Sequence, residues 1–143
     1  MEEIPLEQAR AEAHLAPDLS PEARRAGSVN TLVRTATGWT GHTTDGQGFL
    51  EALRERTGRT TQGRPVILLG SGGAARAVAA ACLADGCASL HLHNRDVAKA
   101  TDLAAALADP RVWAAGLADI QASPEAVIVN CTTLGLKPTD ASP

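Results

Sequence analysis

Pro65-Val66-Ile67-Leu68-Leu69-Gly70-Ser71-Gly72-Gly73-Ala74-Ala75-Arg76-Ala77-Val78 is an apolar run that empties into glycines and then into alanine-rich sequence. A short apolar stretch bounded by glycine predicts a buried strand, and the alanines after it favour a helix. Strand, glycine turn and helix in that order are the layout of a dinucleotide pyrophosphate site. Gly70 permits the sharp turn, and Gly72 carries no Cβ to hold phosphate oxygens away. Ala75 stands where a third small residue lets the helix lie close to its strand. The unpaired N–H groups of the turn and helix start, Ser71, Gly73 and Ala74 among them, then face the phosphates.

The same small residues would serve any tight strand-to-helix connection, so their weight comes from the residues downstream. A second strand, Ser89-Leu90-His91-Leu92-His93, ends in Asn94-Arg95. That is about 20 residues after the glycines, where the adenosine ribose is read. Arg95, with Lys99 one helical turn on, offers positive charge to a 2′-phosphate and makes NADP the expected ligand. Asp96 would repel that phosphate, and its carboxylate suits the free ribose hydroxyls of NAD, which stays open as the alternative. Asn94-Arg95 also argues against a methyltransferase, which wants an acidic residue closing this strand.

The 143 residues, 44% hydrophobic and 20% charged, suit one core with an appendage. A net charge of −3, aromatics at 2% and no tyrosine give no basic stripe or stacking platform, so nucleic acid is excluded as the main partner. No apolar run approaches the ~20 residues needed to span a bilayer. The Met1-Glu2-Glu3 start is acidic where a signal peptide would be basic, so a cytoplasmic protein without membrane attachment is expected. Cys82, Cys87 and Cys131 form no C-x-x-C pair and read as buried reduced thiols. His91 and His93 share one face of their strand but have no third ligand at matching spacing, so no metal site is expected.

Along the chain, residues 2–16 read as a helix stopped near Pro17. Ser20-Pro21-Glu22 opens a short helix with Ser20 as N-cap, and Gly27 ends it. Residues 28–34 alternate like one strand, and a turn at Thr37-Gly38 returns the chain through Trp39-Thr40-Gly41. A helix of about three turns runs on from Gly46, carrying Phe49, Leu50 and Leu53, and a polar linker succeeds it at 57–63. Beyond it strands are expected at 66–69, 89–93, 111–115 and 126–130, with helices at 73–84 and 96–108. This alternation implies an α/β fold with a Rossmann-type, doubly wound parallel sheet. Ala118 to Pro124 leaves little room for a full crossover helix. Val127-Ile128-Val129-Asn130 delivers the polar loop Cys131-Thr132-Thr133-Leu134-Gly135 to the carboxyl edge of the sheet, where ligands sit.

In this order the pieces resemble the shikimate dehydrogenase family. Ala26-Gly27-Ser28-Val29-Asn30-Thr31-Leu32 is similar to its Gly-Ala-Val-Asn-Thr stretch, and Gly41-His42-Thr43-Thr44-Asp45-Gly46-Gln47-Gly48-Phe49 to its Gly-x-Asn-Thr-Asp-Gly-x-Gly-Phe. The glycine loop with Asn94-Arg95 is a third match, and Asn130-Cys131-Thr132-Thr133-Leu134-Gly135 resembles its Asn-Ala-Thr-Ser-x-Gly. The resemblance implies reduction of 3-dehydroshikimate to shikimate with NADPH. A hydride passes from the nicotinamide to a ring ketone while an acid supplies the proton.

The resemblance also implies that Asn30 and Asp45 bind substrate hydroxyls and that Asp45 is half of a catalytic lysine–aspartate pair. Gly70, Ser71, Gly72, Gly73, Ala74, Asn94, Arg95, Lys99 and Thr132 would hold the cofactor. The family's lysine comes after an Ile-Pro pair upstream of Val-Asn-Thr, yet the first lysine here is Lys99. Glu7, or by spacing Ala9, stands in its place, and Thr43 replaces an asparagine. The matches divide the chain into a remnant of a substrate-binding domain at 1–45, a linker helix and loop at 46–62, and a nucleotide-binding domain at 63–143. A chain truncated at both ends is expected, with feeble turnover at most. A non-catalytic dinucleotide-binding module is the alternative, and a homo-oligomer is left open.

Overall fold

The computed structural model describes residues 18–134 and the backbone of Ile4 and Pro5. In chain order its elements are β1 (Ile4–Pro5), β2 (Asp18–Leu19), α1 (Pro21–Ala26), β3 (Ser28–Val29), β4 (Thr31–Thr35), β5 (Gly38–His42) and α2 (Asp45–Thr57). Then come β6 (Pro65–Leu69), α3 (Gly73–Asp85), β7 (Ser89–His93), α4 (Val97–Leu107), β8 (Val112–Ala115), a 3-10 turn at Leu117–Asp119 and β9 (Val127–Asn130).

The main sheet is parallel throughout, in the order β8-β7-β6-β9. Strand alternation sorts its residues onto two faces. Val66, Leu68, Leu90 and Leu92 are fully buried on one face, beneath Val78 and Cys82 of α3 and Ala100 and Leu103 of α4. Ile67, His91, Trp113 and Ile128 stand in register across the other. Strand order reverses beside β6, whose neighbours β7 and β9 are reached from it by opposite routes, so β6 and β9 flank the switch point of an open α/β sheet. The passage from β8 to β9 holds only the 3-10 turn, as the short Ala118–Pro124 stretch predicts.

Helix α2 lies across α3 and sends Phe49 and Leu50 toward the core. Gly46 makes the crossing close: a Cβ there would lie 2.5 Å from the Ala77 carbonyl oxygen and 2.8 Å from Ala81 Cβ. The 57–63 linker is pinned at Thr61, whose buried hydroxyl donates to Asp85 Oδ2 at 2.6 Å and whose N–H donates to the same oxygen at 3.1 Å.

Two expectations change. The helix expected over 2–16 is overturned at its start, because Ile4–Pro5 is extended and pairs antiparallel with β3. A residue before proline is pushed out of the helical region. The rest of that segment, with Glu7 and Ala9, lies outside the described residues. The single strand expected at 28–34 is two strands broken at Asn30, with β3 pairing β1 and β4 pairing β5 in another sheet. Alternation does not show that break, because it lies where the pairing partner changes from β1 to β5, and both partners are distant in sequence.

At the sheet's amino edge Arg111 donates from Nε to Asp109 Oδ1 at 2.9 Å and from Nη2 to Oδ2 at 2.7 Å. Its Nη1 also donates to the Cys87 carbonyl at 3.1 Å and its Nη2 to the Leu83 carbonyl at 3.3 Å, tying the start of β8 to the last turn of α3 and the loop after it. The guanidinium holds the Asp109 carboxyl down to about 2. A depressed folded value stabilises above the ordinary carboxylate range and is lost as pH falls through the folded value. The Tm advantage of the native chain over Asp109→Asn should therefore be full above about pH 4 and fade toward about pH 2. Thermal melts across that interval check it, and an unchanging difference would show that the pair does not carry this acid sensitivity.

Candidate functional site

The carboxyl ends of β6, β7 and β9 bring three loops together. Gly70 leaves β6 with φ +105°, a conformation open to glycine. A Cβ on it would lie 3.0 Å from the Cys131 carbonyl oxygen and 3.3 Å from Thr132 Cγ2, so the loop after β9 closes onto the glycine turn. Gly72 is the N-cap of α3 and no side chain caps that helix start. Nothing lies within 4 Å of where its Cβ would stand. An uncapped helix start beside a glycine with open space fits an anionic group held by backbone N–H, as the pyrophosphate of a dinucleotide requires. Ala75 is fully buried, as close packing of helix on strand demands.

Asn94 comes directly after β7, and its N–H donates to the Ala115 carbonyl at 3.3 Å. Its side-chain Nδ2 donates to Ser71 Oγ at 2.6 Å, linking the β7 loop to the glycine loop. Arg95, Asp96 and Lys99 are exposed beside it. Asp96 caps α4, its Oδ1 accepting from the Ala98 N–H at 3.2 Å. Thr132 is held within its own loop: its hydroxyl donates to Asn130 Oδ1 at 2.7 Å and accepts from the Leu134 N–H at 3.2 Å. Its hydroxyl proton is therefore spent on Asn130, and Thr132 shapes the lip facing Gly70.

The second cluster joins Asn30, between β3 and β4, to the start of α2. Asn30 Nδ2 donates to Asp45 Oδ1 at 2.9 Å and to Thr44 Oγ1 at 3.0 Å. Its Oδ1 accepts from the Thr31 hydroxyl at 2.9 Å and from the Thr44 N–H at 3.3 Å. Two donors and two acceptor sites are all that an asparagine amide offers, so Asn30 is saturated by its own protein. The two residues expected on the substrate rim thus meet directly, with one oxygen of Asp45 engaged. Thr44, which sequence reasoning missed, completes the cluster. Its sequence signal was its place in the matched stretch Gly41–Phe49, as the threonine directly before Asp45. The described residues hold one lysine, Lys99 on α4.

His93 Nδ1 lies 2.7 Å from the Gly116 carbonyl, and His91 Nε2 lies 3.1 Å from Ser89 Oγ, so each ring has a protein partner. Burial pushes the Cys82 thiol up to about 12 and the Cys131 thiol to about 11, and it raises Cys87 as well. All three are free cysteines held as thiols. Among the described residues no helix is long and apolar enough to cross a membrane.

A parallel sheet with a glycine turn and an uncapped helix start at its switch point defines a Rossmann-type nucleotide-binding unit. The family model for shikimate / quinate 5-dehydrogenase matches residues 52–135, and the chain belongs to that family. It is 45% identical over 123 residues to shikimate dehydrogenase (NADP(+)) of Xanthomonas euvesicatoria pv. vesicatoria, covering 85% of this chain and 44% of that relative. It is similar to the solved quinate dehydrogenase from Corynebacterium glutamicum in complex with NAD, with TM-score 0.77 and 30% identity over 94% of this chain and 49% of that one. Shikimate 5-dehydrogenase from Listeria monocytogenes, in complex with shikimate and NAD, superposes with TM-score 0.75 and 30% identity, covering 89% and 47%. The chain spans about half the length of the relatives it matches. Asn30 and Asp45 fall outside the span matched by the family model.

Proposed function

We propose that this chain binds NADP as the cofactor-holding part of a shikimate dehydrogenase, with Asn30 and Asp45 on the substrate rim. The observation that carries the reading is the uncapped start of α3 behind Gly72, beside the exposed cations Arg95 and Lys99. In this reading the N–H groups from Ser71 to Ala74 hold the pyrophosphate, and Arg95 and Lys99 receive the 2′-phosphate. NADPH supplies the hydride that turns the ring ketone of 3-dehydroshikimate into a hydroxyl. Asp45, oriented by Asn30 and Thr44, accepts from a substrate hydroxyl. The carbonyl oxygen still needs a proton, and an ionised aspartate cannot donate one. With no lysine before Lys99, turnover by this chain alone should be feeble. That same absence favours the second reading, a dinucleotide-binding module without catalysis. The division at 1–45, 46–62 and 63–143, a cytoplasmic setting and an open question of homo-oligomer formation belong to the same proposal.

Titration with NADPH and NADH, monitored by Trp39 and Trp113 fluorescence, tests binding, and shikimate oxidation tests turnover. Submillimolar binding with trace turnover is expected. Binding of neither dinucleotide below millimolar concentration would overturn the reading. The choice between cofactors is tested at Asp96. Threonine there keeps a side-chain cap on α4 while removing the charge. Asp96→Thr should raise the preference for NADPH over NADH about tenfold, which is ~1.4 kcal/mol of lost repulsion. An unchanged ratio would place Asp96 away from the ribose.

A further inference from the structure

A parallel sheet is ordinarily covered on both faces, because the crossovers that join its strands lay helices over them. Right-handed crossovers choose the face by the direction in which the chain moves along the sheet. The steps from β6 to β7 and from β7 to β8 go one way, so α3 and α4 lie over the same face. The return from β8 to β9 goes the other way, and the same rule carries it across the opposite face. That passage holds only the 3-10 turn, and every residue from Leu117 to Glu125 is exposed, so it does not lie down on the sheet as a layer. Among the described residues no helix takes its place. The face is closed at its middle and open at both flanks: Ile67 is 2% exposed, while Trp113 on β8 is 62% exposed and Ile128 on β9 is 54%.

The chemistry of this face suits a second copy of the chain. None of the residues that the four strands send to it is Asp, Glu, Lys or Arg. At its amino end Arg64 and Glu125 neutralise each other at 2.8 Å. A charged partner finds no counter-charge there, and two copies meet without like-charge repulsion. Trp113 and Ile128 stand at one level on opposite edge strands, three strand spacings or about 14 Å apart. A twofold axis along the strands, midway between two stacked sheets, exchanges the two flanks. It sets Trp113 over Ile128 of the partner subunit and Ile128 over the partner's Trp113.

We infer that this face is a self-association surface, on which two copies stack sheet to sheet with Trp113 of each against Ile128 of the other. Side chains of stacked sheets interdigitate across ~10 Å, which takes both exposed flanks out of water. The inference goes beyond the proposed function and does not depend on it, because the contact is made by the face of the sheet and not by its carboxyl edge.

Sedimentation equilibrium on the full chain, without nucleotide, tests it. The native chain should be a dimer at micromolar concentration. Trp113→Asp and Ile128→Lys should each weaken the dimer at least about a hundredfold, with thermal melts confirming that both variants fold. Leu32→Lys, on β4 and 40% exposed in the native chain, should leave the dimer unchanged. An equimolar mixture of Trp113→Asp and Ile128→Lys should dimerise again, because only in the mixed pair does an aspartate face a lysine while the other flank keeps its native contact. A monomeric native chain, dimers that survive both single variants, loss of the dimer in Leu32→Lys, or a mixture that stays monomeric would each overturn the inference. None of these outcomes bears on dinucleotide binding, which the NADPH titration tests separately.

Discussion

Gly72→Val should leave the chain folded and weaken NADPH binding by at least about a hundredfold, which is ~2.7 kcal/mol. Gly72 has φ −77° and ψ −168°, extended values that a β-branched residue adopts without strain. Nothing lies within 4 Å of its Cβ position, so valine meets no protein atom at that point. It projects instead into the space before the first N–H groups of α3, where a pyrophosphate would sit. Valine is a poorer N-cap than glycine, so Tm should fall by a few degrees at most. A melt and an NADPH titration on one preparation check both halves. Full affinity in Gly72→Val would mean that the phosphates lie elsewhere.

Gly46→Ala should cost about 1–3 kcal/mol, or roughly 5–15 °C in Tm. The added methyl would stand 2.5 Å from the Ala77 carbonyl oxygen, a backbone atom inside α3 that cannot retreat alone. Helix α2 would have to lift, loosening Phe49 and Leu50 from the core and shifting Asp45, its first residue. The control is Gly48→Ala two residues on, where nothing lies within 4 Å of the added carbon. That substitution should stabilise by about 0.5–1 kcal/mol, because alanine is the better helix former. Thermal melts of the two variants should move in opposite directions. Equal behaviour would remove the close crossing of α2 on α3 from any part in stability.

Gly46 and Gly48 also show how far the sequence could be read. Both stand in Asp45-Gly46-Gln47-Gly48-Phe49, and nothing local tells the glycine that lets two helices touch from the one facing solvent. Where the signal was local, reading succeeded. The strand expected at 66–69 is Pro65–Leu69, and the helices expected at 73–84 and 96–108 are Gly73–Asp85 and Val97–Leu107. Ser20 caps α1 as expected, its Oγ accepting from the Ala23 N–H at 3.1 Å. The residues expected to stop helices or carry turns act within a few positions of themselves, which is why they are legible.

Asn30 lies at the other extreme. Its residue type and family resemblance marked it as a candidate, but its amide is held by Thr44 and Asp45, 14 and 15 residues away. The bond that turns Asn94 toward Ser71 spans 23 residues and is equally silent in the linear pattern. Sequence by itself determined the class of fold, the strand-turn-helix with its small residues and the cations after the second strand, because each is a property of residue type and short-range spacing, while the missing lysine was legible only through the family resemblance. Only the tertiary structure decided which glycine is a contact, that Asn30 spends its whole amide on its own protein, and that Asn94 donates to Ser71. Such facts depend on which side chains the packed sheet and helices bring within hydrogen-bond distance.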